Sequence, residues 1–348
     1  MNPSAASGDL ARDAFAVLLP AFATLDCHDA ALPLMERGCT SVLIGETRAE
    51  YLARRMSAER LAAETEEVFS GAIAHLREAS PDLIVAVDQE PIGIRRLQGL
   101  APFLAEDEEI YSLDDATIER RALEMASVAR RLGVTMFLAP ILDVVTGRND
   151  WLSGRALDAS PEEIGRIGAA YISGVQAAGI AAVAKHFPGF SELARDPAMY
   201  DVALDTPRET LIANALPFRT AISAGVAGIM PGPAPVAALD PDDAACTSRA
   251  VIDLLRGEFA FGGLVVTDDL DAPATLRDRP LAEVAVTALA AGADLLLVVG
   301  GDHLHEVVDS ILEAVADGRL PEDRLRDAAR RVRAFAAAPR AVSRNGKY

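Results

Sequence analysis

Three short strings in this chain of 348 residues bring together side chains that do chemistry in combination. Lys185-His186 follows five apolar residues, Ile180 to Ala184, and Asp268-Asp269 follows Leu264-Val265-Val266-Thr267. Asp88-Gln89-Glu90 ends the run 83–87, and Asp143 and Arg155 lie between the others. Paired carboxylates suit an enzyme that needs one ionised nucleophile and one residue to orient it, although an Asp after a strand also commonly caps the next turn or helix. A compact ammonium donates to several hydroxyls or pairs with a carboxylate, which a guanidinium fork does less well. Arg155 supplies the bidentate donor. Lysine use singles out one position, because the chain has 31 Arg but only two Lys, Lys185 and Lys347.

The elements that must position these residues follow from the apolar pattern. Short apolar runs at 14–19, 41–45, 83–88, 134–140, 180–184, 226–230, 263–267 and 294–299 read as strands. Amphipathic stretches at 57–79, 115–132, 160–178, 207–224, 248–256, 280–291 and 303–316 read as helices, and Gly133, Gly179, Gly225, Gly257 and Gly292 fall where helices should stop. Eight strands alternating with helices predict an α/β fold, a (β/α)8 TIM barrel. The alternative, a doubly wound open sheet, lacks its glycine fingerprint here: no G-x-G-x-x-G follows an early strand. Active sites of such barrels sit where strands end and loops begin, and the candidate residues fall there. A single domain over 1–340 is expected, with 341–348 a flexible tail.

Composition narrows the partners. With 51% hydrophobic and 24% charged residues, the chain can bury a sizeable core, and wholesale disorder is excluded. A formal charge of −19 disfavours nucleic acid and anionic membrane as partners. Cys27, Cys39 and Cys246 show no C-x-x-C spacing, so neither a disulfide framework nor a zinc knuckle is expected, and a reducing cytoplasm fits. The apolar run 14–22 reads as a first buried strand rather than a signal peptide, because Asp9 and Asp13 offset Arg12 ahead of it. No stretch approaches the roughly 20 apolar residues of a membrane span.

The strings VDQE, LAPILDV, SGRAL, KHFPG and VVTDDL, in this order and at these spacings, resemble glycoside hydrolase family 3, most closely its single-domain β-N-acetylhexosaminidases. The similarity runs from about residue 14 to 335. It implies a TIM barrel that hydrolyses a small-molecule glycoside with no metal or organic cofactor. It further implies that Asp268 is the nucleophile forming a covalent glycosyl-enzyme, that Asp88, Arg155, Lys185 and His186 hold the sugar in the −1 subsite, and that Asp269 is structural or supporting.

Departures from that family cluster at the rim. Its K-H-F-P-G-H-G loop with a later D-S-H, whose Asp–His pair is the acid/base, reads Lys185-His186-Phe187-Pro188-Gly189-Phe190-Ser191 here, with Asp196-Pro197-Ala198 at the later position. The Asp is kept and the His is Ala198. Unperturbed, an Asp at about 3.9 is ionised at neutral pH and has no proton to give. The family's D-Q-E-G-G-R reads Asp88-Gln89-Glu90-Pro91-Ile92-Gly93, so its sugar-contacting Arg is Gly93, and the sixth strand ends in Met230-Pro231-Gly232 where a polar stretch with His is usual. Three readings follow. The chain is a glycosidase of altered specificity whose acid is Asp196, Glu192 or a proton of the substrate; a repurposed enzyme of specialised metabolism acting on an activated glycoside; or a catalytically silent sugar-binding barrel. The oligomeric state is left open by the sequence.

Overall fold

The computed structural model describes residues 3–106 and 108–338. Ten strands are present among them: β1 (Leu18–Phe22), β2 (Ser41–Ile44), β3 (Ile84–Val87), β4 (Met136–Phe137), β5 (Ala181–Phe187), β6 (Gly228–Pro231), β7 (Pro235–Val236), β8 (Asp240–Ala244), β9 (Leu264–Val265) and β10 (Leu296–Val299). Eight of them form one curled parallel sheet in the order β10-β1-β2-β3-β4-β5-β6-β9, and helices occupy most of the connections. Just outside the two strands that end this order, Val266 bridges Leu295 in parallel, and Leu270 N–H donates to the Leu297 carbonyl at 3.0 Å.

Side chains alternate across each strand, which divides the core in two. Leu19, Leu43, Ile84, Ala86, Met136, Val183, Leu264, Val266 and Leu297 form a compact cluster on one face of the sheet. Val332 and Phe335 of the last helix, Glu322–Ala337, pack against that cluster. The other face meets the surrounding helices in a second, larger apolar cluster. Side-chain oxygens of Ser57, Thr65, Asp114, Ser160 and Ser248 accept the first free amide N–H groups of their helices.

Several expected boundaries need correction. The run 14–22 is not one strand: 14–16 end the helix Pro3–Ala16, and β1 begins at Leu18. The expected helix 57–79 is two, Ala58–Ala63 and Glu66–Ala79, because Thr65 caps the second. The expected helix 207–224 breaks at Ala215, ahead of Pro217. A small antiparallel hairpin, β7–β8, follows β6 and was not expected. The three cysteines are free and buried. No helix among the described residues is long and apolar enough to cross a membrane. The tail expected at 341–348 lies outside the described residues, and so does Lys347.

Candidate active site

Strand alternation carries the inner face straight into polar side chains. Beyond Ile84 and Ala86 comes Asp88, beyond Val183 comes Lys185, and beyond Leu264 and Val266 comes Asp268. All three line one cavity of about 350 Å³, together with Glu46, Trp151, Arg155, His186, Ala198 and Asp269. Lys185 and His186 are consecutive, yet both face it. The β5–β6 register shifts between Lys185 and Phe187, the kind of irregularity that re-aims a side chain.

A buried ion-pair lattice fixes one end of the cavity. Arg155 donates to Glu90 twice, Nη2 to Oε1 at 2.6 Å and Nε to Oε2 at 3.3 Å. Lys185 Nζ lies 2.5 Å from Asp88 Oδ1 and 3.1 Å from Glu90 Oε1. Burial alone would raise the Glu90 pKa, but Arg155 and Lys185 pull it down to about 2. Burial likewise opposes the Lys185 ammonium, and Asp88 and Glu90 hold its pKa above the ordinary value. Gly93 belongs to this lattice. Its φ is +88°, and a Cβ there would come within 2.6 Å of Glu90 Oε2 and 3.0 Å of Arg155, so no side chain fits beside the pair.

Removing one partner from such a lattice strands the others, at a cost of about 3–5 kcal/mol. Glu90→Gln is therefore expected to lose stability of that order at pH 7 in denaturant titrations. The Glu90 pKa falls on folding, from 4.5 to about 2, so its contribution is full above the unfolded value and is lost as pH drops through the folded one. The gap between variant and wild type should narrow over that window. Equal stability at pH 7 would contradict the lattice.

His186 is held from behind. Its Nδ1 and its backbone N–H each lie 2.9 Å from Asp143 Oδ2, while Phe190 N–H donates to Asp143 Oδ1 at 2.7 Å. A carboxylate only accepts, so Nδ1 carries the proton, and the Trp151 ring, 4.3 Å between centroids, packs on the imidazole. Nε2 is then turned toward Asp268 Oδ2 at 3.8 Å. Asp268 Oδ1 accepts from the Asp269 N–H at 2.8 Å, whereas Oδ2 is buried with no hydrogen-bond partner. Burial raises the Asp268 pKa, opposed chiefly by His186. Asp269 also lines the cavity but accepts from the Asp271 N–H at 3.0 Å, and burial, Asp271 and Asp268 push its pKa up to about 7.

Of the residues singled out from sequence, Asp88, Arg155, Lys185, His186 and Asp268 thus surround one cavity. Asp196 does not line it. Its Oδ2 accepts from the Tyr51 hydroxyl at 3.2 Å and its Oδ1 from the Ala198 N–H at 2.9 Å, and Ala198 itself forms that part of the wall. Glu192 is exposed and packs over Gly147. Sequence reasoning missed Glu46, which follows β2 and lines the cavity with its Oε2 buried and unpartnered. Burial, then Asp88 and Glu90, push its pKa up to about 8. The strand-end rule that found Asp88 could have found it.

Comparisons with known proteins agree with this fold. The model of the glycosyl hydrolase family 3 N-terminal domain matches residues 48–335. β-Hexosaminidase LpqI of Mycobacterium tuberculosis is 31% identical over 271 residues, covering 73% of this chain and 68% of that protein. Among solved structures, a family 3 β-N-acetylglucosaminidase from Paenibacillus sp. superposes with a TM-score of 0.83 at 27% identity, covering 97% of this chain; the chain spans 65% of that enzyme's length. A β-N-acetylhexosaminidase from Beutenbergia cavernae gives 0.81 at 26% identity, covering 94% of this chain and 98% of that one. With five sequence-marked polar residues converging on a cavity at the strand ends and a family match over most of its length, the chain belongs to glycosyl hydrolase family 3, the hydrolases of O-glycosyl compounds.

Proposed function

We propose that this chain is a retaining, β-N-acetylhexosaminidase-like glycosidase in which Asp268 attacks the anomeric carbon and the acid/base is not that of its relatives. The observation that carries the reading is Asp268 Oδ2, a buried carboxylate oxygen without a hydrogen-bond partner at the cavity, 3.8 Å from His186 Nε2. A nucleophile must keep a lone pair free and close to the reacting atom. Asp88, Lys185, Arg155 and His186 then hold the sugar hydroxyls, fixing the ring over Asp268. The Asp268 oxygen bonds to the anomeric carbon as the leaving oxygen departs, and water later cleaves the resulting ester with net retention. We further infer that the eight parallel strands close as a (β/α)8 barrel forming one domain; the Val266–Leu295 bridge supports this.

Altered proton transfer follows from the residue at position 198. Ala198 lines the cavity where the family pattern has its proton-donating His, and a methyl group has no proton to give. The Asp196 carboxylate is engaged by Tyr51 and the backbone instead. The chain accordingly suits glycosides whose leaving group departs without a proton, or that supply one themselves. Stereochemistry tests the nucleophilic route: proton NMR of early hydrolysis of an activated β-glycoside should show the β-anomer first. Prior release of the α-anomer would mean direct attack by water and would refute Asp268 as nucleophile.

A further inference from the structure

The charges in the cavity do not balance, and the imbalance points to a ligand. Lys185 spans Asp88 and Glu90, and Arg155 is committed to Glu90 by two hydrogen bonds. Arg96, which also faces Glu46, is held by both Glu64 oxygens and by the Gly45 carbonyl. Arg48 lines the cavity as well, but its guanidinium donates to the Ala198 carbonyl and leaves Glu46 Oε2 without a partner. None of these cations bonds Glu46 Oε2, which remains, among the described residues, a buried and unpartnered carboxyl oxygen beside Asp88. A buried carboxyl with no cation stays protonated, or waits for a cation to arrive.

We propose that the missing cation comes with the substrate: Glu46 makes this cavity selective for a glycoside whose −1 sugar carries a free ammonium, which donates to Glu46 Oε2 beside Asp88. This rests on the reading that the cavity binds a sugar. A neutral hydroxyl supplies one donor and no charge, whereas an ammonium supplies three donors and the charge that the lattice lacks. An N-acetylated nitrogen has lost that charge, so the proposal separates this chain from relatives named for N-acetylated sugars. The Glu46 pKa of about 8 adds a signature. At pH 7 the carboxyl is mostly protonated, so an arriving ammonium releases a proton.

Calorimetric titration of the full chain with methyl β-glycosides tests this, using amino sugars with the free amine at C2, C3, C4 or C6, their hydroxyl counterparts and the N-acetylglucosaminide. At least one amino glycoside should bind tenfold or more tightly than its neutral counterparts and release a proton at pH 7. In Glu46→Gln that preference should vanish. Equal affinity for amino and neutral sugars, or a preference that survives Glu46→Gln, overturns the proposal and leaves the sugar-binding reading intact; no binding by any glycoside sinks both. Folding of the variant is checked independently. A carboxyl whose pKa rises on folding costs stability as pH climbs through the folded value, so Glu46→Gln should melt higher than wild type at pH 9 and equally at pH 4. A lower melting temperature at pH 9 would mean that Glu46 has a cationic partner, which also overturns the proposal.

Discussion

Asp268→Asn should lower turnover of an activated glycoside on the order of 10⁴-fold or more, the scale at which loss of a nucleophile registers, while binding and folding persist. The side chain makes one hydrogen bond, accepted from the Asp269 N–H, which the Asn oxygen can also accept. Burial already disfavours the Asp268 charge, so a neutral amide removes a desolvation cost and the variant should be at least as stable as wild type at neutral pH. KM should change far less than kcat, because Lys185, Asp88 and Arg155 are untouched. In the wild type, Asp268 must be ionised to attack. Its raised pKa puts the acid limb of kcat/KM at a higher pH than an ordinary carboxylate would, and activity is lost as pH falls through that limb. Steady-state kinetics across pH check both. A kcat within tenfold of wild type in Asp268→Asn would remove this residue from the chemistry.

The second large effect concerns the missing proton donor. General acid catalysis is worth roughly 10²–10⁴ in rate, and its absence concentrates on poor leaving groups. Across aryl glycosides of graded phenol pKa, the wild type should slow steeply as the leaving group becomes more basic. Ala198→His puts an imidazole on the cavity wall two residues beyond Asp196, whose carboxylate already bonds the Ala198 N–H. That variant should flatten the series, gaining roughly 10²-fold or more on the most basic leaving groups and little on nitrophenolates. A series equally steep in both proteins would mean that the wall beside Ala198 is not where the leaving group sits.

Much of this architecture was readable because strands announce themselves and their inner face repeats every second residue. Once 83–88, 180–184 and 263–267 are read as strands, Asp88, Lys185 and Asp268 fall at one end of the sheet. Local ambiguity hid the rest. Nine apolar residues at 14–22 are as compatible with a buried helix end as with a strand, and periodicity cannot divide them. The hairpin after β6 includes the segment Asp240–Ala244, rich in Asp and Pro, which has no strand-like composition. Asp196 matched its expected position in a motif, but a motif carries no direction, and Tyr51, 145 residues away, engages it. Glu46 is the clearest case. Alone after β2 it is an unremarkable carboxylate, and its meaning comes from Asp88, Glu90, Lys185 and Arg155, which other strands and loops bring beside it.

The central claim is that Asp268 forms a bond to sugar, and intact-mass measurement after incubation with 2-fluoro glycosyl donors reads that bond directly. Wild type should gain the mass of one fluoroglycosyl group, with the label on the peptide containing Asp268, and Asp268→Asn should gain none. Absence of any adduct with donors that calorimetry shows to be bound would contradict the account and leave a sugar-binding protein without a nucleophile.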